Sequence, residues 1–281
     1  MSRVLLISMI LLTFCNAFAD TIKLKYPVVL VHGIAIRDDF KMYEYWGDIP
    51  DILKKNDIQV FLSGHDSYNT HAENAHILQQ RINEILTETT AEKVNIIAHS
   101  KGGIEARYMI SVLNMEDKVA SLTTISTPHR GSYMASVVMD SILKNNQTIT
   151  GFVDFAARMY GDIMPDSYKA GKQLTPEYMA EFNSKVKDEE GVYYQSYGSS
   201  IGKDYPSKLW QKMWQIMYSE EGDNDGLVSL ESCKWGEFKG SVGDNVSHAD
   251  IIGMPVFTNN HSFDTEAFIL KIISDLQVLG F

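Results

Sequence analysis

The sequence has little of several things, and each shortage excludes a class of protein. Two cysteines in 281 residues cannot staple a disulfide-dense scaffold or fill a multi-cysteine zinc module. Basic residues are outnumbered, with 25 Lys and Arg against 36 Asp and Glu and a formal net charge of -11. They are scattered and form no basic patch. An acidic surface repels phosphate backbones, so nucleic acid is not an expected partner. No internal repeat or low-complexity tract is present. Beyond the N-terminus no stretch reaches the ~18 consecutive apolar residues that a transmembrane helix requires. What is there is globular in character. Hydrophobic residues make 44% of the chain and charged residues 22%, which argues against intrinsic disorder. The length suits one domain, or one domain carrying an inserted subdomain.

The first nineteen residues read as a signal peptide. Arg3 gives a short positive start, Val4 to Phe14 is apolar, and Ala17 and Ala19 are the small residues that a signal peptidase reads. The apolar run is too short to cross ~30 Å of hydrocarbon as a helix. Cleavage before Asp20 would leave Cys233 as the sole cysteine, with no disulfide within the chain. A secreted or periplasmic location is expected.

The remainder alternates between strand and helix signals. Pro27 to His32, Val60 to Leu62, Val94 to Ala98 and Val119 to Ile125 are short apolar or β-branched runs that predict buried strands. Asn74 to Thr87 and Gly102 to Leu113 space their apolar residues as helices do. Gly191 to Ser199 is strand-like, Leu227-Val228-Ser229 reads as the tail of a late strand, and Thr265 to Leu276 as a closing amphipathic helix. Strand, helix and strand in succession predict an α/β fold, a mostly parallel sheet covered by helices, with its ligand site at the carboxyl ends of the strands. From about residue 132 to 191 the strand signal disappears, and this stretch reads as a helical insertion over the sheet.

Ala98-His99-Ser100-Lys101-Gly102 follows a predicted strand and precedes a predicted helix, the context of a nucleophile elbow. The sharp turn requires small residues two before and two after the serine, here Ala98 and Gly102. It raises Ser100 into the cleft and sets the Lys101 N–H at the start of a helix, where the dipole favours negative charge. A loop at His32-Gly33-Ile34 can aim the Ile34 N–H at the same developing oxyanion. In Gly222-Asp223-Asn224-Asp225-Gly226 either aspartate could serve as the acid, and Asp225 sits closer to a fixed strand. Only His248 and His261 follow it in the Ser-Asp-His order of a hydrolase triad. His248 lies in a loop and is favoured as the base; His261 opens the last helical segment. His65, His71 and His76 with Asp66 could suggest zinc, but His71 and His76 are five apart and fit one helical face poorly. A polar loop and helix face is the simpler reading of that group.

Taken together, Tyr26 to Gly33, Ala98 to Gly103, Ser126 to Ser132 and Asn224 to Val228 resemble secreted bacterial triacylglycerol lipases of the Pseudomonas and Burkholderia type, within the α/β-hydrolase superfamily. The likeness runs from about Tyr26 to Phe257 and is weakest between 132 and 191, where those lipases carry a lid. It implies Ser100 as nucleophile, Asp225 as acid and His248 as base, with Ile34 and Lys101 giving the two oxyanion amides. It also implies a structural Ca²⁺ held by Asp204 and Asp250, with backbone carbonyls near Met254 and Thr258. Lipid ester at an oil–water interface is the implied substrate, and a lipase-specific foldase chaperone an implied partner. Ala98 departs from the glycine that usually opens the motif. The apolar residues Met134, Met139, Phe152, Phe155, Met159, Tyr160 and Met164 suit a lid, or else an ordinary cap packed on the core. A short-chain carboxylesterase or phospholipase would share the triad, and a catalytically inactive lipid-binding protein would share the fold.

Overall fold

The structure, a computed structural model, describes residues 23–34, 45–65, 69–144, 165–254 and 263–281. The signal-peptide segment, most of the middle of the insertion, Asp66, Thr258 and His261 lie outside the described residues, as do Phe152, Phe155, Met159, Tyr160 and Met164.

Six strands form one sheet in the order β2-β1-β3-β4-β5-β6, every neighbouring pair parallel. They are β1 Val28–Val31, β2 Val60–Leu62, β3 Val94–His99, β4 Val119–Ile125, β5 Tyr193–Ser200 and β6 Glu237–Asp244. Alternation along the inner strands sorts side chains onto two faces. Val28, Leu30, Ile97 and Ile125 belong to one apolar cluster, packed with α1 Ile49–Lys55, α7 Lys208–Glu221 and α9 Thr265–Val278. Val29, Val31, Ile96 and Ala98 belong to the other, packed with α2 His71–Thr89 and α3 Lys101–Val112. Both faces are therefore covered, which is why β1, β3 and β4 are buried along their whole length.

The predicted inner strands are found where expected. The first long helix starts three residues earlier than its apolar spacing suggests. Thr70 and Glu73 form a reciprocal capping box that draws His71, Ala72 and Glu73 into α2. The described part of the insertion is mainly helical, as α4 Tyr133–Lys144, α5 Pro165–Lys172 and α6 Pro176–Lys185. Met134 and Met139 are buried in the core.

One expectation is overturned. Leu227-Val228-Ser229 is no strand tail. It closes a tight turn with a single antiparallel bridge between Asn224 and Ser229, followed by the short helix α8 Leu230–Cys233. The last strand is β6, whose sequence EFKGSVGD carries no apolar run. An edge strand is paired on one side and half exposed, so it needs none. Charge and glycine there suit an edge that must not recruit another chain.

Candidate active site

Ser100 alone makes the turn from β3 to α3, with φ 55° and ψ -132°. That left-handed backbone costs a non-glycine residue on the order of 1–3 kcal/mol and persists only where the surroundings enforce it. Here the Ser100 N–H donates to the Ile125 carbonyl at 3.0 Å, and the Gly103 N–H to the Ser100 carbonyl at 3.2 Å. Close approach dictates the glycines. A Cβ at Gly102 would lie 2.4 Å from the His32 carbonyl oxygen, and one at Gly33 2.7 Å from the Ser100 Cβ. The loop at His32-Gly33 is thus pressed against Ser100. Ala98 is fully buried at the end of β3, a small residue doing what the motif glycine would.

The turn at 224–229 presents Asp225, the acid expected from the sequence. Asp225 Oδ1 accepts the N–H groups of Leu227 (2.9 Å) and Val228 (2.8 Å), and Oδ2 lies 2.9 Å from His248 Nδ1. The His248 N–H also donates to the Asp225 carbonyl at 3.1 Å. Of the two aspartates that the sequence leaves open, Asp223 is exposed and Asp225 buried. Facing a carboxylate, Nδ1 of His248 carries the ring proton, so Nε2 keeps its lone pair. Ser100, His248 and Ile34 line one cavity, walled by apolar side chains that include Leu174 from the insertion, Leu227, Val228 and Met254. Lys101 is the first residue of α3.

Tyr45 lines this cavity as well, and with it come further polar side chains that the motifs do not announce. Tyr45, His99 and His65 are buried, and so are Lys101 and Glu105. The Lys101 ammonium pairs with Glu105 Oε1, one turn on; Asn74 Nδ2 donates to the same oxygen at 2.7 Å. His65 Nε2 lies 2.9 Å from Glu105 Oε2 and 3.1 Å from the His32 carbonyl. Its N–H aims at the carbonyl and leaves Oε2 without a hydrogen bond. Burial by itself would raise the Glu105 pKa, yet the charge of Lys101, followed by that of His65, holds it below the usual carboxylate range. His32 stacks on His65 with ring centroids 3.9 Å apart. Burial, aided by His65, brings the His32 pKa down to about 3.

The histidine group that could suggest zinc does not assemble. His65 serves the packing just described. His71 is wedged edge-on against Tyr178 and Phe182 with neither ring nitrogen hydrogen-bonded, and His76 is exposed. Among the described residues no group of three or more His, Cys, Asp or Glu could hold a metal ion.

Three of the four calcium ligands implied by resemblance lie among the described residues. Asp250 Oδ2 accepts from Tyr205 Oη (2.6 Å) and from the Ser247 N–H (2.9 Å). Asp204 is exposed on the turn before Tyr205, Met254 is buried, and Thr258 lies outside the described residues. The loop carrying His248 is tied by protein hydrogen bonds.

Comparison with known proteins agrees with this architecture. The sequence model described as palmitoyl protein thioesterase matches residues 27–202. The chain is 33% identical over 258 residues to triacylglycerol lipase 2 of Saccharomyces cerevisiae, covering 85% of this chain and 74% of that one. It is 37% identical over 172 residues to a triacylglycerol lipase of Pseudarthrobacter phenanthrenivorans, covering 57% of this chain and about half, 53%, of that one. The mature form of a Bacillus licheniformis lipase shares the fold with a TM-score of 0.68 at 20% identity, covering 88% of this chain and 91% of that one.

Proposed function

Since this chain belongs to the α/β-hydrolase family that holds the palmitoyl protein thioesterases and triacylglycerol lipases, and is a carboxylic ester hydrolase, we propose that it cleaves triacylglycerol through Ser100, His248 and Asp225. One observation carries the reading. The Asp225–His248 contact at 2.9 Å leaves Nε2 as a base in the same cavity as the strained Ser100. In the reaction His248 Nε2 takes the hydroxyl proton as Ser100 Oγ attacks the ester carbonyl. Asp225 orients the imidazole and balances its charge. The carbonyl oxygen becomes an oxyanion facing the Ile34 and Lys101 N–H groups. The intermediate collapses, the C–O bond to the alcohol breaks, and His248 returns the proton to the leaving oxygen. Water then attacks the acyl-enzyme by the same route and frees the acid.

The apolar walls support a long acyl chain over a polar substrate. Leu174 ties the insertion to the cavity, which supports its reading as a cover that moves at an oil–water interface. Export is supported by the leader pattern of residues 1–19, and N-terminal sequencing of the exported protein tests it. Refolding the purified chain without helper proteins tests whether a foldase is needed.

The decisive experiment compares hydrolysis of p-nitrophenyl esters of rising chain length, a triglyceride emulsion and an acyl thioester. Ser100→Ala should lower kcat by several orders of magnitude with the fold intact, and an alkyl phosphonate should label Ser100. Wild-type-like hydrolysis by Ser100→Ala would overturn the triad. Soluble short esters turned over faster than the emulsion would make the protein an esterase.

A further inference from the structure

Four groups from separate parts of the chain are joined by hydrogen bonds whose directions are all forced. His99 Nε2 lies 3.1 Å from the His248 carbonyl oxygen, which can only accept, so Nε2 carries the proton. Burial, with the nearby His248, holds the His99 pKa far below its ordinary value, so the ring is neutral and Nδ1 keeps a lone pair. Tyr45 Oη sits 2.6 Å from that Nδ1 and must donate to it. The Gly33 N–H in turn donates to Tyr45 Oη at 3.0 Å. The chain of bonds therefore runs from the oxyanion loop through Tyr45 and His99 to the backbone of the base.

We propose that Tyr45 and His99 are positioning residues that lock the oxyanion loop and the His248 loop into one rigid unit around Ser100. The proposal deepens the triad reading and rests on it. His248 is then held at three points: its N–H by the Asp225 carbonyl, its ring by Asp225 Oδ2 and its carbonyl by His99. Only Nε2 is left without a tether. On the other side, Tyr45 fixes the peptide of Gly33 and with it the direction of the next N–H, that of Ile34. The position is tight as well as bonded, because a Cβ at Gly33 would lie 2.9 Å from Tyr45 Oη. A relay of this kind stabilises the transition state more than the bound ester, because it aligns donors toward charge that exists only after attack.

Tyr45→Phe deletes the hydroxyl and leaves both the Gly33 N–H and His99 Nδ1 without partners. It should lower kcat/KM about 10- to 100-fold, mostly through kcat, as expected for a buried donor left unpaired. His99→Leu should lose as much. His99→Gln should recover about tenfold of that, because its amide N–H can stand in for Nε2–H toward the His248 carbonyl. The readout that a merely structural role would not move is inhibition by an alkylboronic acid, which forms a tetrahedral adduct with the serine. Its Ki should rise across the series by the factor that kcat/KM falls. In the double variant Tyr45→Phe with His99→Leu the losses should be far from additive, because either one breaks the same path. Additive losses, a boronate Ki that stays put while kcat/KM falls, or His99→Gln no better than His99→Leu would each overturn the relay. If Tyr45→Phe does not fold, the two His99 variants and the boronate series still decide the matter. Ser100→Ala run alongside separates the failures. Activity in that variant sinks the triad reading itself, whereas a dead Ser100→Ala beside an unimpaired Tyr45→Phe sinks the relay alone.

Discussion

Replacing Glu105 by glutamine keeps the shape of the side chain and removes one buried charge. The Lys101 ammonium, itself 1% exposed, then faces a neutral amide. Breaking a buried ion pair by removing one partner costs about 3–5 kcal/mol, because the remaining charge is left uncompensated. Against a total stability on the order of 5–15 kcal/mol, that is a large share. At roughly 2–4 °C per kcal/mol for chains of this size the melting temperature should fall by about 6–20 °C, read by calorimetry at neutral pH. The double variant Lys101→Met with Glu105→Leu removes both charges and should recover most of the loss, since apolar replacement of a buried pair is often neutral or stabilising. It keeps the Lys101 backbone N–H, so ester hydrolysis should survive in it. A Glu105→Gln protein melting within about 2 °C of wild type, or a double variant less stable than the single one, would refute the reasoning. Either result would mean that Lys101 is not held as a desolvated cation.

Gly102→Ala should abolish activity beyond about 100-fold, because a Cβ 2.4 Å from the His32 carbonyl must push α3 and the Lys101 N–H away from β1; near-normal kinetics would count against that geometry. Stability should fall in acid. Burial brings His71, like His32, down to about 3 and holds His99 and His129 well below their ordinary value. The unfolded chain takes up protons at these four positions below about pH 6.5 while the folded chain does not. Folding free energy is then full above that pH and drops by up to about 1.4 kcal/mol per histidine per pH unit below it. A melting temperature flat from pH 7 to pH 5 would contradict this. A chelator should leave ester hydrolysis within about twofold, since Asp250 is held by Tyr205 and Ser247; a loss restored by added Ca²⁺ would show that a cation takes its place.

Much of this was readable because it rests on local patterns. The inner strands β1, β3 and β4 are short runs rich in apolar and β-branched residues, and Ala98 to Gly103 needs only small residues around one serine. Asp225 and His248 follow from chain order. What could not be read depends on contacts across the fold. β6 has no apolar signature because only one of its edges is paired. Lys101 and Glu105 stand four apart on a helix and look like an ordinary surface pair; only the sheet packed above shows that they are buried. Tyr45 follows Gly33 by twelve residues with no motif between them, and nothing short of the folded geometry brings its hydroxyl to His99.

The parallel sheet draws this cleft from distant stretches of chain: the loop at Gly33, the elbow at Ser100, the turn at Asp225 and the base at His248. A growing chain therefore exposes its poised serine long before the imidazole emerges. On the proposed triad, any fragment that stops short of His248 lacks its base, so ester hydrolysis would begin only near the close of the chain's own synthesis.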